Sequence, residues 1–587
     1  MTIPDSDDPH ERRAAPAPPQ PAAPWWEPWQ PKSIIALQQY SLHTFTSDLI
    51  AGVTVGLVAL PLAMAFAISS GLPPQAGIYC AIITGFLISA LGGSMTQIGG
   101  PTGAFVVVVA GIVAQHGVEG LFMCTMMAGV MLVILGATGT GAAVKFIPSP
   151  VVLGFTNGIA VLIASTQIKD FLGLRIEEVP GEFLGRMEAI ATHVDSFSAA
   201  ATALGAVSLV VILLCVRYLK RVPGTIVALV AGTLAVALLG LPVDTVGSRF
   251  GGIPAGLPEF HVPRFRPDLV LSLLSPAITV ALLGAIESLM SAMVADRMTG
   301  DKHRPNVELM AQGVANVVSP LFGGLPATGA IARTATNIRS GGRTPVAGVV
   351  HAVTLLGILL FAAPLARHIP LAVLSAILFV VAYNMGEWRE IPQILKLTRT
   401  DIAVWLVTFA LTVLADLTLA VEVGMVLAAL LFIRRVAGTT TIELVTEDYV
   451  ESSRVHILQD KDIPPFVAIF RIHGPFLFGT TDKIDLVTSM LDRLPPIVVL
   501  RLRNMTAIDA TGLMAIEEVA EKVRATGRTL LLCGARSQPA RVMERAEFHE
   551  AVGDENILPH VQAAVARARE IYRERYEGRS DWGAGWG

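Results

Sequence analysis

Two ionisable residues stand deep in apolar sequence. Glu287 lies in the run Thr279-Val280-Ala281-Leu282-Leu283-Gly284-Ala285-Ile286-Glu287-Ser288-Leu289-Met290, with about eight apolar or small residues on either side. A carboxylate at that depth costs at least a few kcal/mol in lipid and marks an ion or proton path by default. In an apolar interior a carboxyl can hold a proton near neutral pH, which makes Glu287 the candidate coupling residue; the alternative is a structural acid satisfied by neighbouring helices. Arg333, in Ala330-Ile331-Ala332-Arg333-Thr334, either supplies a fixed positive charge beside a site or carries its charge along its aliphatic stem to an aqueous face.

Near Arg333 the chain breaks an apolar region with Gly323-Gly324-Leu325-Pro326-Ala327-Thr328-Gly329-Ala330-Ile331, and it does nearly the same much earlier with Gly99-Gly100-Pro101-Thr102-Gly103-Ala104-Phe105. A helix that starts at mid-membrane leaves its first N–H groups without intrahelical partners, at several kcal/mol each in lipid unless something polar sits there. Proline suits the first turn because it has no N–H, threonine can cap, and glycine lets a ligand approach the backbone. Each helix N-terminus carries about half a positive charge, so an anion gains about 0.3–2 kcal/mol from each. Inverted repeats whose half-helices aim their N-termini at an anion are a known transporter design. The other reading of such glycines and prolines is kinks or close packing.

The elements that must position these residues are membrane helices. Of 587 residues, 53% are hydrophobic and 15% charged, against roughly 25% charged in soluble chains. A net charge of −4 argues for no nucleic acid. Cys80, Cys124, Cys215 and Cys533 are far apart and suggest neither a disulfide framework nor a metal site. No catalytic triad, phosphate-binding loop or dinucleotide fingerprint is visible, so an enzyme is not expected. Taking a span as roughly 20 apolar residues, about 14 segments are read between Asp48 and Arg434, several of them short or broken. The short ones are Thr102–Ala114, Glu308–Phe322 and Thr328–Arg339. The helix after Pro101 runs outward and the one after Pro326 inward, so their N-termini can face each other.

Basic residues cluster at Lys220/Arg221, Arg297/Lys302/Arg304, Arg339/Arg343, Arg389/Lys396/Arg399 and Arg434/Arg435. With an even number of spans these fall on the side of Arg12, Arg13 and Lys32, which is then cytoplasmic; Glu177, Glu178 and Glu182 fall outside. Both termini are expected inside, in the inner membrane of a bacterium. Residues 1–46, rich in proline and charge, read as a largely disordered cytosolic tail, and residues 47–436 as the transport domain. After Arg435 the strand-like runs Val467–Ile472, Ile497–Leu502 and Thr529–Cys533 alternate with helical stretches, a small cytosolic α/β domain over residues 437–576. Residues 577–587 read as a flexible end. Asn504-Met505-Thr506-Ala507-Ile508-Asp509-Ala510-Thr511-Gly512 follows a strand and opens a helix, which Asp509 or Thr511 can cap.

These residues are similar to those of the sulfate permease (SulP) family, whose animal members include prestin and pendrin. The match runs from about Ser47 to Glu550. It includes the opening Asp48-Leu49-Ile50-Ala51-Gly52-Val53-Thr54-Val55-Gly56, then Gly71-Leu72-Pro73-Pro74-Gln75-Ala76-Gly77-Ile78-Tyr79, Phe155-Thr156-Asn157-Gly158-Ile159 and both broken phrases. The resemblance implies a fold of seven plus seven inverted-repeat helices, split into core and gate, with a C-terminal STAS domain and a homodimer. It implies an anion site at Leu62, Phe66, Thr102, Gly103, Ala104, Thr328, Gly329, Ala330, Ile331, Ala332 and Arg333. Many members have glutamine where Leu62 stands. Sodium-coupled bicarbonate members carry aspartate at the place of Glu287 and threonine at those of Ser291 and Ile331, which makes Glu287 and Ser291 the coupling positions and favours protons here. Thr511 occupies a place that is phosphorylated in related STAS proteins, and the domain could hold a regulatory partner. The expected function is secondary active transport of a small anion by an elevator-like or rocking movement, with a proton as co-substrate and no other cofactor. A sodium-coupled bicarbonate symporter and an uncoupled channel or exchanger are the alternatives. Sulfate, bicarbonate, chloride and dicarboxylates all suit a backbone-lined site.

Overall fold

The structure, a computed structural model, describes residues 29–38, 40–139, 148–176, 179–218, 223–254, 256–264, 266–415, 417–445 and 463–576. Arg12, Arg13, Glu177, Glu178, Lys220, Arg221 and the end at 577–587 lie outside them. The chain forms two compact units, Met1–Met425 and Val426–Gly587.

In the first unit, α1 (Lys32–Gln38), α2 (Leu42–Ser69), α3 (Pro74–Leu91), α4 (Ala104–Ala137), α5 (Ser149–Leu172), α6 (Phe183–Thr192), α7 (Ala199–Tyr218), α8 (Gly224–Leu239) and α9 (Val246–Phe250) form the first half. The second half holds α10 (Val270–Thr299), α11 (Pro305–Val318), α12 (Ile331–Arg339), α13 (Val346–Ala366), α14 (Leu371–Met385), α15 (Ile391–Ile394), α16 (Arg399–Leu414) and the start of α17 (Leu417–Gly438). Among the described residues seven helices are long and apolar enough to cross a membrane, and α8 and α14 are shorter apolar helices. Prolines open α3, α5 and α11 at positions that need no N–H partner. Gly173, Gly240 and Gly300, all at positive φ, close α5, α8 and α10. Gly117, at φ 72°, breaks α4, so the short segment Thr102–Ala114 is the first arm of a longer kinked helix.

The helix pairs repeat. α13 packs on α2 and α3 as α4 packs on α10 and α11, and α16 packs on α5 as α7 packs on α14. Each set packs mainly within itself, and α8 lies against α7, α2 and α14. Small residues let the helices of a set approach. A Cβ at Gly129 of α4 would stand 2.7 Å from the Gly313 carbonyl of α11, and one at Gly313 would stand 2.6 Å from that of Gly129.

Part of the tail expected through residue 46 is helical. From Lys32 the chain is helical, and the Lys32 ammonium lies 3.0 Å from the Asp301 carboxylate. Asp48, fully buried near the start of α2, anchors the two halves. Its Oδ1 accepts the N–H groups of Arg343 (2.8 Å) and Thr344 (3.2 Å), and its Oδ2 accepts the hydroxyls of Thr344 (2.5 Å) and Tyr40 (3.1 Å). Burial, with the Asp48 charge adding to it, pushes the Tyr40 phenol up to about 12. Asp48→Ala leaves these donors unpaired, and we expect a loss of about 3 kcal/mol of stability. A thermal unfolding midpoint of the purified variant equal to that of the wild type would contradict this clamp.

The second unit carries a five-stranded sheet. With β1 (Gly99–Gly100) and β2 (Thr328–Gly329) belonging to the membrane part, its strands are β3 (Thr441–Val445), β4 (Val467–Phe476), β5 (Ile497–Ile508), β6 (Thr529–Cys533) and β7 (Ile557–Leu558), paired in that order. Only β3 runs antiparallel. The helix Ala510–Ala525 covers one face through Ile516, Val519 and Val523, and the helix Val561–Ile571 covers the other, over Val499 and Leu531. Asp509 caps the first of these, Oδ1 accepting the Gly512 N–H at 2.8 Å and Oδ2 that of Phe478 at 3.0 Å. Thr511 is exposed in the first turn.

Candidate functional site

The two broken phrases cross in the middle of the membrane unit. β1 and β2 pair antiparallel, Gly99 opposite Gly329 and Gly100 opposite Thr328, and the Ala330 N–H continues the pairing to the Ile98 carbonyl at 2.8 Å. From this crossing α4 and α12 depart. In α4 the first backbone bonds run from Phe105 to Thr102 (3.3 Å) and from Val106 to Gly103 (3.0 Å); in α12 the first runs from Thr334 to Ala330 (2.8 Å). The N–H groups of Gly103 and Ala104, and those of Ile331, Ala332 and Arg333, precede those bonds and have no intrahelical acceptor.

Glu287 joins both phrases. Its Oε2 accepts the Thr102 hydroxyl at 2.8 Å and the Thr328 hydroxyl at 2.9 Å, so one carboxyl on α10 ties the start of each half-helix. One residue on, Ser288 fixes the crossing. Its hydroxyl accepts the Gly329 N–H at 3.1 Å, and its carbonyl accepts the Gln97 amide at 3.1 Å.

Arg333 does not reach an aqueous face. It is 2% exposed and donates through Nη2 to the Pro101 carbonyl, while its Nη1 has no partner among the described residues. The guanidinium fills the space over Gly100, where a Cβ would lie 2.2 Å from Nη1; Gly100 sits at φ 151°, so only glycine suits this place. A second-half arginine thus rests on the first-half phrase.

In front of these groups lies a cavity of about 270 Å³ between the two helix sets. Of the expected anion-site residues, Leu62, Phe66, Thr102, Gly103, Ala104, Gly329, Ala330, Ile331, Ala332 and Arg333 line it, as does Glu287. Thr328 and Ser291 do not. Thr328 faces Glu287, and Ser291 is fully buried against the Thr334 hydroxyl at 3.2 Å. The sequence reading missed the opposite wall, made by Val152, Phe155, Thr156 and Ile159 of α5, by Val381, Asn384 and Met385 of α14 and by Glu387 just beyond it. Apolar side chains on an apolar helix carry no mark of which face meets a cavity; only the Phe155-Thr156-Asn157 phrase stood out. The arrangement can hold a small anion by backbone N–H groups and a buried cation, beside a carboxyl able to exchange a proton.

The Sulfate permease family profile matches residues 45–408, more than half of the chain. The chain belongs to the sulfate permease family. The STAS domain profile matches residues 459–564, within the second unit. The chain is 42% identical to the "Putative sulfate transporter YvdB" of Bacillus subtilis over 526 residues, 89% of this chain and 97% of that one. It is 32% identical to the bicarbonate transporter BicA of Synechocystis, over 87% of this chain and 92% of that one. The solved transmembrane domain of a cyanobacterial BicA superposes with a TM-score of 0.59 at 34% identity, over 67% of this chain and 99% of that one. The murine Slc26a9 anion transporter shares the fold over 92% of this chain and 94% of that one, with a TM-score of 0.83 at 18% identity. These relatives are named as transporters, and the chain is a membrane protein of the same anion-transporter family.

Proposed function

We propose that this protein is a secondary active symporter that moves a small anion together with a proton. The observation that carries the reading is Glu287, whose single carboxyl oxygen is hydrogen-bonded by Thr102 and Thr328 from the two crossing phrases, at the wall of the cavity that Arg333 and both half-helix starts line. Protonation of that carboxyl changes the net charge facing the cavity and the hydrogen bonds that tie the phrases, so anion and proton occupancy are linked. The cavity lies between two helix sets, and movement of one set against the other, elevator-like or rocking, would open it to alternate sides. Sulfate, bicarbonate and dicarboxylates fit a site built from N–H donors; the names of the relatives favour the first two. The membrane is the inner membrane of a bacterium with both termini cytoplasmic, and the assembly is a homodimer whose STAS domain can meet a regulatory partner.

A sodium-coupled bicarbonate symporter is the second reading, and two relatives at 30% and 32% identity are named bicarbonate transporters. Against it, Ile331 brings no side-chain oxygen to the cavity wall, and sodium, a hard cation, takes oxygen ligands. Uptake into liposomes of labelled sulfate, bicarbonate and succinate, with a proton or a sodium gradient imposed separately, tests both. Accumulation with the proton gradient alone, collapsed by a protonophore, is the expected result. Accumulation only with sodium would replace the proton reading, and equilibration without accumulation would make the protein a channel or exchanger.

A further inference from the structure

The STAS unit holds a basic pocket of its own. It lies beyond the end of β6 and beside the turn after β7, the end of a parallel sheet where ligand crevices form. Its volume is about 290 Å³, and Arg501, Arg503, Arg536 and His560 line it together with Gly534 and Gln562. Among the described residues that line it there is no carboxylate.

Arg501 forms the floor. In sheet register Glu443, Arg471, Arg501 and Cys533 make one row across β3, β4, β5 and β6. The Glu443 carboxylate lies 2.5 Å from the Arg471 guanidinium and so answers that arginine's charge. Arg501 is 4% exposed, and its Nη1 has no hydrogen-bond partner among the described residues. A guanidinium stays charged at any working pH, and a buried charge without a counter-charge is costly. Arg503 and Arg536 stand exposed at the rim.

A helix start completes the ring of donors. The helix Val561–Ile571 opens at the pocket, and His560 caps it, its Nδ1 accepting the Ala563 N–H at 3.1 Å and its carbonyl the Ala564 N–H at 3.2 Å. Accepting at Nδ1 puts the neutral imidazole proton on Nε2 as a donor. The N–H groups of Val561 and Gln562 precede those bonds and are left for a ligand.

We propose that this pocket binds a tetrahedral oxyanion of the phosphate or sulfate type, free or as a monoester, held by Arg501 from below, by Arg503 and Arg536 at the rim and by the helix start. An anion site in the STAS domain would let that domain sense a cytosolic oxyanion independently of the membrane cavity.

The test is amide hydrogen exchange of the purified full-length protein, because it reads this pocket apart from the membrane site. Sodium phosphate, sodium sulfate and glycerol 3-phosphate are compared with sodium chloride at equal ionic strength. At least one of the three probes should slow exchange at Val561 and Gln562 about tenfold. The exposed double variant Arg503→Gln/Arg536→Gln, which leaves the buried row intact, should lose most of that protection, as should Arg501→Gln. Stronger protection by phosphate than by glycerol 3-phosphate names the free ion as ligand, the reverse names an ester, and either supports the site. Exchange at these amides unchanged by all three probes would overturn the proposal, and so would protection that persists undiminished in the double variant.

Discussion

Glu287→Gln is expected to abolish accumulation driven by a proton gradient while the protein still folds. Glutamine keeps the shape of the side chain, and its carbonyl can accept the hydrogens that Thr102 and Thr328 now donate at 2.8 and 2.9 Å. What it removes is the exchangeable proton. A gradient of about one pH unit stores about 1.4 kcal/mol per proton, enough for a roughly tenfold concentration ratio when one proton moves with each anion. The wild type should approach that ratio in liposomes, whereas the variant should stop at equal concentrations inside and out. An unchanged thermal midpoint would show that the crossing survives. A variant that still accumulates substrate with the wild-type pH profile would remove Glu287 from the coupling path.

Gly103→Val is expected to weaken anion binding at least tenfold. Gly103 is the residue before α4, at φ −60° and ψ −30°, a conformation open to any residue, so backbone strain plays no part. A Cβ there would stand 3.0 Å from Ile163, 3.1 Å from the Met385 sulfur and 3.4 Å from the Phe66 ring. The valine methyls would enter the cavity where the first N–H groups of α4 lie, and a loss of about 1.4 kcal/mol is tenfold in the dissociation constant. Gly111→Val on the same helix is the control, since a Cβ there meets nothing within 4 Å. Unchanged affinity in Gly103→Val, measured on monodisperse protein, would move the site away from this helix start. Gly329 is not its structural equivalent. It sits in β2, and a Cβ on it would lie 1.6 Å from the Gln97 amide, so valine there would break the Gln97–Ser288 bond and report on packing.

That difference marks where sequence reading stops. Apolar length located the helices, and the two glycine–proline phrases located the half-helices, because a proline without an N–H and a run of small residues suit a helix start inside lipid. How the phrases meet was not legible. Gly99 and Gly329 pair across more than two hundred residues, and that contact follows from the folding of both halves. Arg333 was readable either as a site cation or as a snorkelling one; its bond to Pro101 and its place over Gly100 depend on the same crossing. In the STAS unit the three central strands stood out as apolar runs. β3 escaped because Thr441-Ile442-Glu443-Leu444-Val445 is short and interrupted by a charge, and β7 because it is only two residues long. The helix α6, Phe183–Thr192, was missed as well, being too short and too polar to count as a span.

The central claim is that both half-helix starts hold one anion in the cavity. The most direct measurement is anomalous diffraction from crystals of the protein soaked in selenate or bromide. A bromide peak within hydrogen-bonding reach of the first N–H groups of α4 and of α12 together, or a selenium peak whose selenate oxygens are within that reach, is expected beside Arg333. A peak that contacts only one helix start, or none in this cavity while the soaked protein still binds the anion, would contradict it.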